Sequence, residues 1–394
     1  MWKPRARLDA GLLLPTAALL ALGLVAIYSS SAVYAGRSFA DPERFLRAQL
    51  LWLGLGGLLA AAAALLPGHH LQRRSGWLYM LAVGLCGAVL VPQIGHRVGG
   101  ARRWLHLGPI TLQPSELTKL ALVIFLAAIL ARLVEGRGPE ARPYWLPVLV
   151  AQLPVLLVLA EPDFGGAVVL EGLLVLLVLG AGLPLRILGY LAAVALPGLV
   201  YLLVSTPFRW RRLLGYLDPW AHRATVGYQA TEALISIGSG GLGGMGLGDG
   251  KQKLFFLPEA HTDFVFATIG EELGFAGVFI LLGAYGALIV RGTRIACRGR
   301  TAFDRFLALG LTALLGLPAV LNTWVVTGLL PTKGLPLPLV SYGGSSLVVS
   351  LVAIGLLMRI AHANGVDASP SSAASPSPAS APTPSSATAT PVPQ

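Results

Sequence analysis

Charge is scarce in this chain. Of its 394 residues only 12% are Asp, Glu, Lys or Arg, against roughly 25% in soluble domains. Hydrophobic residues make up 55%, and the mean hydropathy is +0.72. So few charges cannot cover so much apolar mass in water, which excludes the soluble globular class. Cysteine is equally scarce: Cys86 and Cys297 offer neither a disulfide framework nor a metal-binding spacing. No glycine loop fits a nucleotide-binding pattern, and no nucleic-acid partner is indicated.

What is abundant is the long apolar run. A bilayer core about 30 Å thick requires about 20 apolar residues per helix. Ten such stretches lie near residues 10 to 29, 48 to 66, 76 to 92, 115 to 134, 144 to 160, 166 to 183, 187 to 204, 264 to 290, 303 to 328 and 343 to 361. The expected fold is an all-α polytopic membrane protein of about ten transmembrane helices. Its membrane domain covers residues 1–364, with a long extracytoplasmic loop at 205–262 between helices 7 and 8. Residues 365–394 are dominated by Ser, Ala, Pro and Thr and read as a disordered cytoplasmic tail. The first stretch follows Lys3, Arg5 and Arg7 as a secretory signal would. However, it is long enough to span, and Tyr28-Ser29-Ser30-Ser31 has no small-x-small cleavage pattern, so it reads as a retained helix.

Arginines in short loops orient the bundle. With the N-terminus in the cytoplasm, Arg73, Arg74, Arg137, Arg142, Arg186, Arg291, Arg294, Arg298 and Arg300 are cytoplasmic, and both termini lie on that side. Yet Arg97, Arg102, Arg103, Arg209, Arg211, Arg212, Lys251, Lys253 and Lys333 fall on the other face. An anionic ligand outside accounts for that excess.

Ionisable groups at or inside spans cost a few kcal/mol each and mark candidate sites. Four segments qualify. In Gln113-Pro114-Ser115-Glu116-Leu117-Thr118-Lys119, proline opens a helix, and Glu116 and Lys119 share one face. They form either a structural ion pair or a cation facing an anionic head group. In Glu161-Pro162-Asp163-Phe164-Gly165, a plain turn needs only Pro, Asp and Gly, so Glu161 is surplus to it. The glycine run from Gly238 to Gly250, followed by Lys251 and Lys253, is either a phosphate cradle or a merely permissive loop. Finally, Glu259, His261, Thr262 and Asp263 cluster where an apolar helix begins, with Glu271 and Glu272 further along it. An N-cap explains Thr262 or Asp263, but not the whole cluster.

Five segments in order, Gly100-Ala101-Arg102-Arg103-Trp104, Gln113-Pro114-Ser115-Glu116, Glu161-Pro162-Asp163, Pro258-Glu259-Ala260-His261-Thr262-Asp263-Phe264 and Pro338-Leu339-Val340-Ser341-Tyr342-Gly343-Gly344-Ser345-Ser346, resemble signatures of the SEDS (shape, elongation, division, sporulation) family. Gln252-Lys253 and Leu330-Pro331-Thr332-Lys333-Gly334 look more like its FtsW-like division branch than its RodA-like elongation branch. Gly166 departs from the Thr or Ser usual there.

The resemblance implies a peptidoglycan glycosyltransferase that polymerises lipid II, an undecaprenyl-pyrophosphate-linked disaccharide-pentapeptide, outside the cell inner (cytoplasmic) membrane, for cell division or cell shape. It implies Asp263 as general base. Lys119, Arg102, Arg103, Lys333, Gln113 and Ser341 would bind the pyrophosphate substrate, and Glu116, Glu161, Asp163, Glu259 and His261 would support them. A divalent cation such as Mg2+ is compatible with this reading but not indicated by spacing. Implied partners are a class B penicillin-binding protein transpeptidase and other division or elongation complex proteins, within membrane lipid. The rival readings are a lipid II flippase, which ten spans with buried ionisable groups also fit, and a non-catalytic scaffold of a cell-wall synthase complex.

Overall fold

The computed structural model describes residues 9–98, 101–108, 110–136, 145–204, 215–251 and 259–366. Lys3, Arg5, Arg7, Gly100, Arg137, Arg142, Arg209, Arg211, Arg212, Gln252, Lys253, Pro258 and the tail from residue 367 lie outside the described residues.

Each expected apolar stretch coincides with helix. Among the described residues six helices are long and apolar enough to cross a membrane: α1 (Ala10–Phe39), α2 (Arg44–Leu65), α4 (Pro114–Glu135), α10 (Val265–Cys297), α11 (Ala302–Val326) and α12 (Gly344–Val366). To these are added α3 (Gly68–Leu90), whose first turns carry His69, His70, Arg73 and Arg74, and the shorter apolar α7 (Phe164–Gly180) and α8 (Arg186–Val204). The fifth stretch is broken into α5 (Trp145–Val150) and α6 (Leu153–Ala160). Pro154 explains the break: it lacks the N–H that the Val150 carbonyl would accept. The Tyr79 hydroxyl donates to that carbonyl instead, at 2.6 Å.

Several features depart from expectation. α1 runs past residue 29 to Phe39, closing at Ala40 in the left-handed region (φ 54°). A three-stranded antiparallel sheet, β1 (Gly95–Val98), β2 (Ala101–Leu107) and β3 (Ile110–Leu112), joins α3 to α4. The long loop contains a helix of its own, α9 (Tyr228–Gly240). Residues 331–343, before the last span, are non-helical, and α12 begins at Gly344.

α4 packs on α3, α7 and α11, while α12 lies along α2 and α10 along α1 and α11. α12 can approach α2 closely because position 355 is glycine; a Cβ there would collide with the Ala60 carbonyl. The 331–343 segment sits within protein, with Leu335, Leu337, Leu339, Val340 and Ser341 buried. Non-helical backbone at membrane depth survives only when its polar groups are met. Here Asn322 Nδ2 donates to Leu335 O at 2.6 Å, Tyr285 Oη to Pro338 O at 2.5 Å, and Leu337 N to Ser341 Oγ at 2.9 Å.

Candidate active site

The site forms where three irregular segments meet above the α10 and α7 N-termini. The first is the turn before α10. The Glu259 carbonyl accepts from the N–H groups of Thr262 (3.1 Å), Asp263 (3.1 Å) and Phe264 (3.3 Å), with Glu259 itself at φ 56°. This places Asp263 just outside the helix. Asp263 is not the cap: the N-cap is Phe264, with no side-chain bond. The Asp263 backbone carbonyl is held by Asn322 Nδ2 at 2.7 Å, while its half-buried carboxylate makes no hydrogen bond among the described residues. Burial pushes that carboxyl up to about 7; the charges of Glu259 and Asp163 add to the rise and Arg103 opposes it.

The second segment is Glu161-Pro162-Asp163. Asp163 caps α7, its Oδ1 accepting from Gly166 N at 3.0 Å. A Cβ at Gly166 would stand 2.7 Å from Asp163 Oδ2, so glycine there leaves the cap undisturbed. Arg103 clamps the turn: Nη2 donates to Pro162 O at 2.6 Å and Nε to Glu161 O at 3.3 Å, and Nη1 lies 3.9 Å from Asp163 Oδ1. The sheet register explains how it reaches. His96 faces Trp104 and Arg97 faces Arg102, so Arg103 is the unpaired residue of a bulge, a device that re-aims one side chain. Glu161 is 1% exposed, and both its oxygens lack a hydrogen-bond partner among the described residues, the Cys86 thiol interacting only weakly. Burial, then Asp163, push it up to about 8, so it is mainly protonated at pH 7.

The third segment is Lys333-Gly334, which threads between the other two. A Cβ at Gly334 would lie 2.8 Å from Asp263 Oδ2, and one at Gly165 would lie 3.2 Å from Gly334 O. Burial lowers the Lys333 ammonium below its ordinary value, while Asp163 opposes this; its Nζ lies 5.8 Å from the Phe164 ring centre.

His261 and Ser341 brace the site. The His261 ring lies 4.8 Å from Phe45 and stacks on Tyr34 at 6.2 Å; burial lowers its pKa against the pull of Glu259. Ser341 Oγ donates to Thr262 O at 2.5 Å.

Other candidates stand apart. Lys119 and Glu116, each 6% exposed, pair at 2.7 Å and face a cavity of about 10 Å³, room for about one water and not for a head group. In this conformation the structural ion pair is the better description. Gln113 N donates to Ser345 Oγ at 3.0 Å. Arg102 faces Arg97 on the hairpin, away from the partner its sequence neighbour Arg103 finds. Of the two readings open for the glycine run, the structure favours close packing. Met245 N and Gly246 N donate to Glu271 O (2.9 Å) and Glu272 O (3.1 Å), packing the run against a kink in α10 at Gly274 (φ 63°). Asn322 is a site residue that the sequence reading overlooked, although a lone Asn in an apolar span is itself a signal.

Fold and site define a polytopic membrane protein with a carboxylate and two cations grouped at one end of its helical bundle. The chain belongs to the FtsW/RodA/SpoVE family, whose model, described as "Cell cycle protein", matches residues 10–365. It is 42% identical over 357 residues to the probable peptidoglycan glycosyltransferase FtsW of Coxiella burnetii, covering 90% of this chain and 96% of that one. To the protein of the same name from Legionella pneumophila it is 42% identical, over 88% of this chain and 89% of the relative. Among solved structures it resembles a chain of a peptidoglycan synthase complex studied for its coordination of polymerization and crosslinking (TM-score 0.74, 36% identity, 92% of this chain and 99% of that chain). It also resembles the Thermus thermophilus rod shape determining protein RodA (TM-score 0.66, 34% identity, 92% and 98%).

Proposed function

We propose that this chain is a peptidoglycan glycosyltransferase that polymerises lipid II, with Asp263 as its general base. The observation that carries the reading is the Asp263 carboxylate: without a hydrogen bond among the described residues, raised to about 7, and grouped with Arg103 and Lys333. A base is most effective when its pKa lies near the working pH. Asp263 takes the proton from the acceptor sugar hydroxyl as that oxygen attacks the anomeric carbon of the donor. The bond from that carbon to the pyrophosphate oxygen breaks, and inversion converts an α-linked pyrophosphate into a β-glycoside.

The departing pyrophosphate gathers negative charge, which Arg103 and Lys333 offset. Glu161, held protonated, adds no repulsion. Ser341, His261 and Glu259 fix the turn that carries Asp263. Lys119 with Glu116, Gln113 and Arg102 take supporting places in the fold or at its rim. Among the described residues no three His, Cys, Asp or Glu side chains group as a metal set, so no step is routed through a divalent cation. The site would face the outside of the cytoplasmic membrane, with both termini in the cytoplasm. A class B penicillin-binding protein would be the partner that crosslinks the product.

The test is polymerisation of purified labelled lipid II in detergent by wild type and Asp263→Ala, each with and without the cognate penicillin-binding protein. A glycan ladder from wild type and none from a folded Asp263→Ala protein is expected. A ladder from the variant removes Asp263 as base, and no ladder under any condition turns the question to translocation of lipid II in vesicles.

A further inference from the structure

A polar pair lies inside the membrane domain, away from the site. Gln152 sits in the two-residue break between α5 and α6, and Glu171 lies on α7. Gln152 Nε2 donates to both carboxylate oxygens, at 3.1 and 2.9 Å. Glu171 also borders an apolar cavity of about 300 Å³ lined by Val168, Val175, Leu188, Leu191 and Leu196. A carboxylate in such a wall costs a few kcal/mol, and two apolar side chains would pack there at lower cost. Buried polar pairs kept against that gradient are best attested as devices that fix register.

The geometry fits this use. α6 has eight residues, too few to be stable alone, and the break separates it from α5. The break is held on one side by the Tyr79 hydroxyl on Val150 O, at the end of α5, and on the other by Gln152 on Glu171. The amide oxygen of Gln152 is buried without a partner, so among the described residues only Glu171 orients the side chain. α6 and α7 then run antiparallel to the Glu161-Pro162-Asp163 turn, about 12 Å away at 1.5 Å per residue.

We propose that Gln152 and Glu171 form a register lock between α6 and α7, which holds the Glu161-Pro162-Asp163 turn and its Arg103 clamp at the height of Asp263. Both are positioning residues, and the proposal rests on the reading of Asp263 as the base. A slip of one residue displaces the turn by about 1.5 Å, and a misplacement of about 1 Å is enough to lose about 100-fold in rate. It also admits water and moves Asp163 away from Asp263, both of which lower the pKa of the base; Arg103, carried off with the same turn, opposes this by less, and Glu259, on Asp263's own turn, stays in place.

The experiment measures lipid II polymerisation across pH by the full-length protein in detergent, for wild type, Q152A, E171A, the double variant and E171Q. Each single alanine variant frees the slip without enforcing it and is expected to lose about 10-fold in kcat, short of the roughly 100-fold of a full displacement, with KM within about twofold, and its acid limb should move to lower pH. The double variant should be no worse than either single one. E171Q still accepts from the Gln152 amide and should recover most of the rate. Unchanged kcat and pH profile in the alanine variants, independent losses that multiply in the double variant, or an E171Q protein as impaired as E171A would overturn the lock. If the alanine variants do not fold, E171D, shorter by one methylene, is expected to show the same loss and shift; a wild-type profile from it overturns the proposal. An acid limb present in wild type but unmoved in the variants removes the lock alone. A wild type without that limb removes the base assignment and the lock with it.

Discussion

Gly334→Ala tests the site with a single methyl group. That carbon would stand 2.8 Å from Asp263 Oδ2, well inside the roughly 3.5 Å at which nonbonded heavy atoms rest comfortably. Gly334 is exposed and its φ is not in the left-handed region, so alanine brings no backbone strain there. The carboxylate is a short side chain on a turn pinned by Asn322 and Ser341, and it must give way by about 0.5 to 1 Å. Displacing a base by that distance costs about 10- to 100-fold in rate, while a surface substitution leaves stability within about 0.5 kcal/mol. Gly343→Ala is the control: in the same segment, its nearest neighbour would be Ser346 Cβ at an ordinary 3.8 Å. The assay is the rate of glycan ladder formation from labelled lipid II, with thermal unfolding in parallel. A folded Gly334→Ala protein within about twofold of wild type would refute the geometry assigned to Asp263; Gly343→Ala should match wild type.

The pH profile follows from the same carboxylate. A base must be deprotonated to act, and since burial raises Asp263 to about 7, kcat/KM should climb through an acid limb near pH 7; a limb near the ordinary carboxylate value of about 4 would contradict the burial. Arg103→Lys keeps the charge but loses the planar fork that meets the Glu161 and Pro162 carbonyls, so polymerisation should fall by about 10-fold, and an unaffected rate would show that charge alone suffices. Gly274→Ala places a Cβ at φ 63° against Gly244 N and Leu242 O; the cost of about 1–3 kcal/mol for the strained backbone alone should appear as a lowered unfolding temperature and poorer yield.

How much of this was legible beforehand depended on how local each signal is. Spans are local: twenty apolar residues report themselves whatever lies around them, and every stretch marked from composition coincides with helix. The Gly95–Leu112 sheet is not, because its pairing is decided by chain reversal at Gly108 and by a bulge that hydropathy cannot register. That bulge is also why Arg102 and Arg103, indistinguishable as neighbours in a basic motif, part company: one meets Arg97 across the hairpin and the other clamps a turn 58 residues along the chain. Lys119 shows the reverse case. Its charge was visible, but whether it waits for an anion or is already satisfied depends on Glu116 and on α11 and α12 closing over it. The glycine run was ambiguous because glycine permits both a phosphate cradle and close packing; only Glu271 O and Glu272 O, facing it from another element, decide for packing. Asn322, Gln152 and Glu171 are the instructive cases. Each is a polar residue in an apolar stretch and carries a cost that something must offset, yet attention to recognisable motifs passed over all three. Read by that cost alone, they point to the Asp263 carbonyl and to the break in the fifth span, which is where the structure places them.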